Sequence, residues 1–261
     1  MFSDRYGPWA VIAGASEGLG RAFSTELARR GLNVLLVARR AAPLDVLADE
    51  LRRGFGVDVV TAAVDMSSPD AVTAIAEVLG TREVGMVIAN AASVPIGKFG
   101  DIDPDDLERA IAVNCSSTLR LARHFLPAMA RRGRGGFVVM ASMAGLQGTP
   151  MLTTYAATKA FDLVLAEGLW HEYHPTGVYV VGSCAGAIAD PNLAQVKQRH
   201  AVGTLSPEAV VRETLAALGR GPRVIPGITN RVASVLMSRL LPRRVAVGVM
   251  ARNTRDLRPA E

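Results

Sequence analysis

Six short runs of apolar, largely small or β-branched residues recur along the chain, separated by longer segments. They are WAVIAGA (9–15), NVLLVAR (33–39), DVVTAAVD (58–65), GMVIANAA (85–92), GFVVMAS (136–142) and VYVVGSCAG (178–186). Most are apolar throughout rather than alternating, so each predicts a strand buried on both faces. That is the property of parallel strands covered by helical crossovers. Helical patterns fill the intervals, from Gly18 to about Arg30 and over 43–53, 69–79, 104–131, 153–173 and 207–219. Asp103 before Pro104, and Ser206 before Pro207, have the form of N-caps with proline in the first turn. With RVIPG (223–227) as a last short strand, the pattern predicts a doubly wound α/β fold. Its sheet has about seven parallel strands with helices on both faces. No repeat, low-complexity segment or linker divides residues 1–261, which read as one domain.

The first strand runs into GASEGLG, in which Gly14, Gly18 and Gly20 enclose Ser16 and Leu19. Small residues there let the backbone turn sharply and approach a pyrophosphate, and the helix that follows offers its N-terminus to the anion. A purely structural turn is the plainer alternative. The second strand ends in Arg39 and Arg40, with no carboxylate to take a ribose 2′-hydroxyl. A guanidinium suits a 2′-phosphate, so the position favours NADP(H) over NAD(H), unless Arg39 is only a solvated loop residue. Glu17 in the glycine turn argues mildly the other way. Asp65 and Met66 close the third strand, where the carboxylate is placed for an adenine amino group or, alternatively, for a turn with SSPD.

Residues 155–159 read YAATK. On a helix, Tyr155 and Lys159 lie one turn apart on the same face. A phenol with a pKa of about 10 is a poor proton donor and acceptor at neutral pH, and a neighbouring ammonium favours its ionised form. The glycine turn, ANAA (89–92), VNC (113–115), Ser142, YAATK and CAG (184–186) fall in one order over about residues 8–190. Together they resemble the short-chain dehydrogenase/reductase family, whose domain is a Rossmann fold. The resemblance implies a catalytic tetrad of Asn114, Ser142, Tyr155 and Lys159. Tyr155 would be the general acid/base and Ser142 would hydrogen-bond the substrate oxygen. Lys159 would also hold the nicotinamide ribose, and Asn114 a water leading to solvent. Asn90 matches an asparagine of the family's N-N-A-G stretch, with Ala89 and Ala92 as departures. In CAGAIAD, Ala185 replaces the usual proline and Asp190 the usual threonine. Nicotinamide contacts would then fall to backbone near Ile188.

The opening 35 residues from Tyr6 look like those of 3-oxoacyl-CoA reductases and 17β-hydroxysteroid dehydrogenase-like proteins. This likeness implies a lipophilic carbonyl or secondary alcohol as the small-molecule substrate. Family members are often homodimers or homotetramers. The segment 187–208 corresponds to a substrate lid, in which Lys197, Arg199 and His200 are candidates for an anionic carrier or form a solvated face. No metal ligand set accompanies His171 or His174.

Residues 220–261 hold nine Arg against Asp256 and Glu261, so this tail carries +7 while the whole chain carries +5. The body is slightly acidic, which argues against nucleic acid. Val232, Val235, Leu236 and Leu240 fall near helical spacing, and Pro242 interrupts them. The tail, about 228–261, is suited to docking on its own domain, to an oligomer contact, or to peripheral contact with an anionic membrane. Cys115 and Cys184 lie in apolar surroundings as reduced thiols. No secretory signal or membrane-spanning run is visible, so the expected location is cytoplasmic, with the tail as a means of peripheral membrane attachment. A non-catalytic NADP-binding sensor on the same fold is the alternative to an enzyme.

Overall fold

The computed structural model describes residues 1–189, 203–255 and 257. Its strands are β1 (Trp9–Ala13), β2 (Asn33–Ala38), β3 (Val59–Ala63), β4 (Val84–Ala89), β5 (Gly135–Ser142), β6 (Val178–Ala185) and β7 (Arg223–Val224). All pair in parallel, in the order β3-β2-β1-β4-β5-β6-β7. The order reverses between β1 and β4, where helices leave toward opposite faces and a crevice opens at the carboxyl ends of the strands.

The helices are α1 (Phe2–Tyr6), α2 (Gly18–Arg29), α3 (Ala41–Phe55), α4 (Ala71–Leu79), α5 (Pro104–Ile111), α6 (Ser117–Arg132), α7 (Thr153–Tyr173), α8 (Pro207–Ala217), α9 (Ile228–Val235) and α10 (Arg243–Asn253). Alternate residues of the central strands point to opposite faces. Ala10, Ile12, Val34 and Leu36 pack with Phe23 and Leu27 of α2, Leu44 and Leu47 of α3, and Val211 of α8. Val11, Ala13, Leu35 and Val37 pack with Ile75 of α4 and Leu121 and Leu126 of α6. Both faces are covered, which is why the strands read as continuous apolar runs. Asp103 and Ser206 cap α5 and α8, accepting from Asp105 N–H (2.9 Å) and Ala209 N–H (3.2 Å).

Three expectations change. The helical pattern 104–131 is α5 and α6 joined through a π turn over Ala112–Ser116. Periodicity alone does not register one residue inserted into a turn. Strands expected to run to 15 and 92 stop at Ala13 and Ala89, since the following residues turn into the crevice. The tail forms α9, a π turn over Leu236–Leu240, and α10 with Pro242 as N-cap.

Candidate active site

Gly14 ends β1 with a φ of +78°, a left-handed conformation that favours glycine. It also sits against Ala91, since a Cβ there would come 2.8 Å from the Ala91 Cα. Gly20, in the first turn of α2, packs directly on the Gly14 backbone, and a Cβ on it would overlap the Gly14 carbonyl oxygen. The turn is therefore tightened onto the helix it feeds. Asn90, just past β4, donates from Nδ2 to the Gly14 carbonyl (3.0 Å) and ties the two strand ends at the crevice. Gly18 and Leu19 open α2, where first-turn N–H groups lack intrahelical acceptors. No acidic residue lies within that turn, so it is free to receive an anion.

A cleft of about 430 Å³ occupies this crevice. Gly14, Ser16, Arg39, Asp65, Met66 and Asn90 line it, all of them sequence candidates. Arg40, named with Arg39 at the end of the second strand, lines it too, as do Ser93 and Arg109, which the sequence did not single out. Arg39 is exposed and has no side-chain partner among the described residues, whereas Arg40 faces Glu17 at 3.4 Å. Glu17 thus pairs with the second arginine and leaves the first available. Asp65 accepts from Ser67 N–H (2.9 Å) and Ser67 Oγ (2.8 Å), so the turn with SSPD exists. Arg109 also donates to both its oxygens, at 3.1 and 2.8 Å. Burial works to raise the Asp65 pKa, but the Arg109 and Ser67 bonds outweigh it and hold the carboxyl at about 2. Arg109 lies 44 residues away on α5, and no local pattern links the two.

Free backbone donors and a glycine cradle with no room for a Cβ fit a dinucleotide. Ile188 fits the nicotinamide end. It bridges Leu205 through its neighbours, with Leu205 N–H donating to Ala187 O (3.0 Å) and Ala189 N–H to Leu205 O (2.9 Å). The N–H and C=O of Ile188 itself face the other side of the bridge.

The four catalytic candidates converge where β5, the π turn and α7 meet. Asn114 is fully buried; its Oδ1 accepts from Ser93 N–H (2.7 Å). Its Nδ2 donates to Ser93 O (2.9 Å) and Thr158 Oγ1 (2.9 Å). Both amide hydrogens are committed, so this side chain connects the cleft wall to α7. Thr158 passes the link on by donating to Tyr155 O (2.8 Å). Ser142 ends β5 and accepts from Ala144 N–H (3.2 Å), which leaves its own hydroxyl hydrogen free to donate. The Tyr155 hydroxyl has no hydrogen-bond partner among the described residues, and it is not bonded to Ser142.

Lys159 is buried, with its Nζ 5.7 Å from the centre of the Tyr155 ring. The ammonium donates to Met140 O (2.6 Å) and Asp162 Oδ2 (2.9 Å). Asp162 is the other residue missed from the sequence, although its spacing of three from Lys159 on one helix was a visible signal. Gly145 lets the turn after Ser142 lie on the Lys159 backbone, since a Cβ there would come 2.6 Å from the Lys159 carbonyl carbon. Burial pushes the Cys115 thiol up to about 11 and the Cys184 thiol up to about 12, which keeps both protonated.

Of the remaining candidates, Asp190, Lys197, Arg199 and His200 lie outside the described residues. The tail docks on its own domain at several points. Asn230 donates to Gly203 O (3.0 Å), Arg243 to Leu146 O (2.7 Å) and Thr254 to Pro150 O (2.7 Å). Ile228, Val232 and Leu240 nevertheless remain exposed. No helix among the described residues is long and apolar enough to cross a membrane.

Residues 8–201 match the family model of the short chain dehydrogenases. The chain is 33% identical over 234 residues to the 7beta-hydroxysteroid dehydrogenase of Collinsella aerofaciens, covering 87% of this chain and 89% of that protein. It is 32% identical over 217 residues to the very-long-chain 3-oxoacyl-CoA reductase of Bos taurus, covering 82% and 69%. A solved structure from a study of 7beta-hydroxysteroid dehydrogenase stereoselectivity superposes with a TM-score of 0.91 at 30% identity, over 96% of this chain and 99% of the other. A short-chain dehydrogenase from Sphingobium yanoikuyae, solved in complex with NADPH, superposes with a TM-score of 0.78 at 28% identity over 98% of each chain.

Proposed function

This chain belongs to the short-chain dehydrogenase family, and we propose that it is an NADP(H)-dependent enzyme interconverting a lipophilic ketone and its secondary alcohol. The substrate class is an oxosteroid, a 3-oxoacyl thioester or a related bulky ketone. One observation carries the reading: a Tyr155 hydroxyl with no partner among the described residues, one turn from a buried Lys159, with Ser142 ending β5 and keeping its hydroxyl hydrogen free to donate. A sensor has no need of this arrangement.

The bound nicotinamide supplies the hydride in reduction and receives it in oxidation. Everything else falls to the chain's own groups. In reduction Tyr155 Oη gives its proton to the substrate oxygen, and in oxidation the phenolate takes that proton back. Ser142 Oγ donates a hydrogen bond to the same oxygen and stabilises charge as it develops. Lys159 favours the phenolate by its charge. Asn114 holds Thr158, and so the start of α7, against the Ser93 segment. The glycine turn takes the pyrophosphate, Arg39 the 2′-phosphate, Asp65 and Met66 the adenine side, and the Ile188 backbone the nicotinamide amide.

Exposed Ile111, Leu119, Phe161 and Val164 on α5, α6 and α7 support a homodimer or homotetramer. Exposed Val232 and Leu240 among arginines support peripheral contact of the tail with an anionic membrane surface of a cytoplasmic protein. The expected substrate lid, 187–208, lies outside the described residues over 190–202.

The test is oxidation of NADPH, with NADH as control, against oxosteroids, 3-oxoacyl thioesters and simple ketones. Turnover that falls by about 10²–10⁴ in Tyr155→Phe, with cofactor binding intact, is the expected result. Cofactor binding with no Tyr155-dependent turnover on any carbonyl would favour the sensor instead.

A further inference from the structure

Asp162 and Lys159 form a buried ion pair directly behind Tyr155. Their relative exposures are 1% and 3%, and Lys159 Nζ stands 2.9 Å from Asp162 Oδ2. The ammonium is anchored from the sheet side by the Met140 carbonyl at 2.6 Å. Asp162 Oδ1 is buried with no hydrogen-bond partner among the described residues. The Thr118 hydroxyl lies beside the carboxylate and helps to hold its pKa down, while its geometry aims it at the Asn114 carbonyl (2.8 Å). A buried carboxylate with one idle oxygen is an expensive feature, and packing alone does not account for it.

We propose that Asp162 is a positioning residue that draws the Lys159 charge away from Tyr155 and so biases the site toward reduction. Seen from Tyr155, an isolated ammonium would stabilise the phenolate strongly. An ammonium paired with a carboxylate is close to neutral, and its field falls off much faster. Two opposite charges 2.9 Å apart partly cancel at the phenol, and removing the negative one strengthens the pull of Lys159 on the phenolate. A reductase needs the donor protonated before each turnover, and a damped lysine provides that.

The elements packed around the pair contribute titratable and charged groups of their own. Tyr155 comes from α7 itself, and Cys115 comes from the π turn, its thiol raised by burial, raised further by Asp162 and lowered by Lys159. Helix α6 contributes the neutral Thr118 and β5 the Met140 carbonyl. Strand β6 presents Cys184, whose thiol responds to Arg223. Arg223 of β7 is paired with Glu167 (3.4 Å), and Arg109 of α5 with Asp65 (2.8 Å). Burial raises the Asp162 pKa, with Lys159 opposing it, so the carboxylate depends on the lysine for its charge.

This proposal rests on Tyr155 being the proton donor, so the test reads the phenol directly and needs no substrate. Tyrosinate absorbance is titrated in the full chain and in Tyr155→Phe, and the difference isolates Tyr155 from the other tyrosines. The same pair is measured in an Asp162→Asn background. The amide of that variant still accepts a lysine hydrogen bond but carries no charge. The expected result is a Tyr155 titration lowered by about one pH unit, with Asp162→Glu restoring the original value. Asp162→Ser, which leaves room for a water, gives the same downward shift if the asparagine variant does not fold. An unmoved or upward-shifted titration in the folded neutral variant overturns the proposal. Loss of the Tyr155 signal from the accessible pH range in all variants would overturn the proton-donor reading itself.

Discussion

Asn114 grips the main chain of Ser93 at both ends, accepting from its N–H at 2.7 Å and donating to its carbonyl at 2.9 Å. Ser93 lines the cleft, and the remaining Asn114 hydrogen reaches Thr158 on the helix of Tyr155 and Lys159. One buried amide thus sets the distance between the cleft wall and the start of α7. Asn114→Leu leaves these groups without partners. We expect a loss of about 1–3 kcal/mol, read as a Tm lowered by roughly 2–10 °C. Turnover should fall more than cofactor affinity, and a stopped-flow comparison of binding with turnover separates the two.

Arg109 and Asp65 make a pH-dependent contribution. The Asp65 pKa is depressed to about 2 in the folded chain from an ordinary 3.8. Its stabilisation is therefore fully present above about pH 4 and is lost as pH falls toward 2. The carboxylate is 40% exposed, so solvent screening keeps the effect small. Denaturant midpoints of the parent chain and Arg109→Gln should differ above pH 4 and converge toward pH 2.

Arg39 is exposed and has no side-chain partner among the described residues, so on the NADP(H) proposal it meets a 2′-phosphate with nothing to release. Arg39→Ala should raise the KM for NADPH by about 10–100-fold, the loss of one or two charge-assisted hydrogen bonds. The KM for NADH should change little. Equal losses for both cofactors would remove the arginine from 2′-phosphate recognition.

Gly20 meets the Gly14 carbonyl with no space between them. Gly20→Ala should force the turn open at a cost of about 1–3 kcal/mol. Calorimetric titration should show loss of dinucleotide binding in a chain that still melts cooperatively.

Val164 is 69% exposed on α7, and Leu119 is 50% exposed on α6. If these faces join subunits, Val164→Glu should shift the mass from light scattering toward a single chain. A parent chain that is already monomeric would dismiss the contact.

The sequence by itself determined the layered α/β architecture, because strands buried on both faces admit only parallel pairing under helices. It also determined the glycine turn and the Tyr155–Lys159 spacing, since both are local and each follows from the geometry of one turn. Arg109 beside Asp65, Ser93 beside Asn114, and Met140 beneath Lys159 are separated by 44, 21 and 19 residues. Only the sheet order brings them together, and no periodicity encodes it. The π turn at Asn114 was hidden for a related reason, as one inserted residue leaves the apolar pattern of the helix almost unchanged. Asp162 stood three residues from Lys159 in plain view. Its meaning came only from burial: on a wet helix face the pair would be an ordinary surface contact, while inside the protein it sets the charge behind Tyr155.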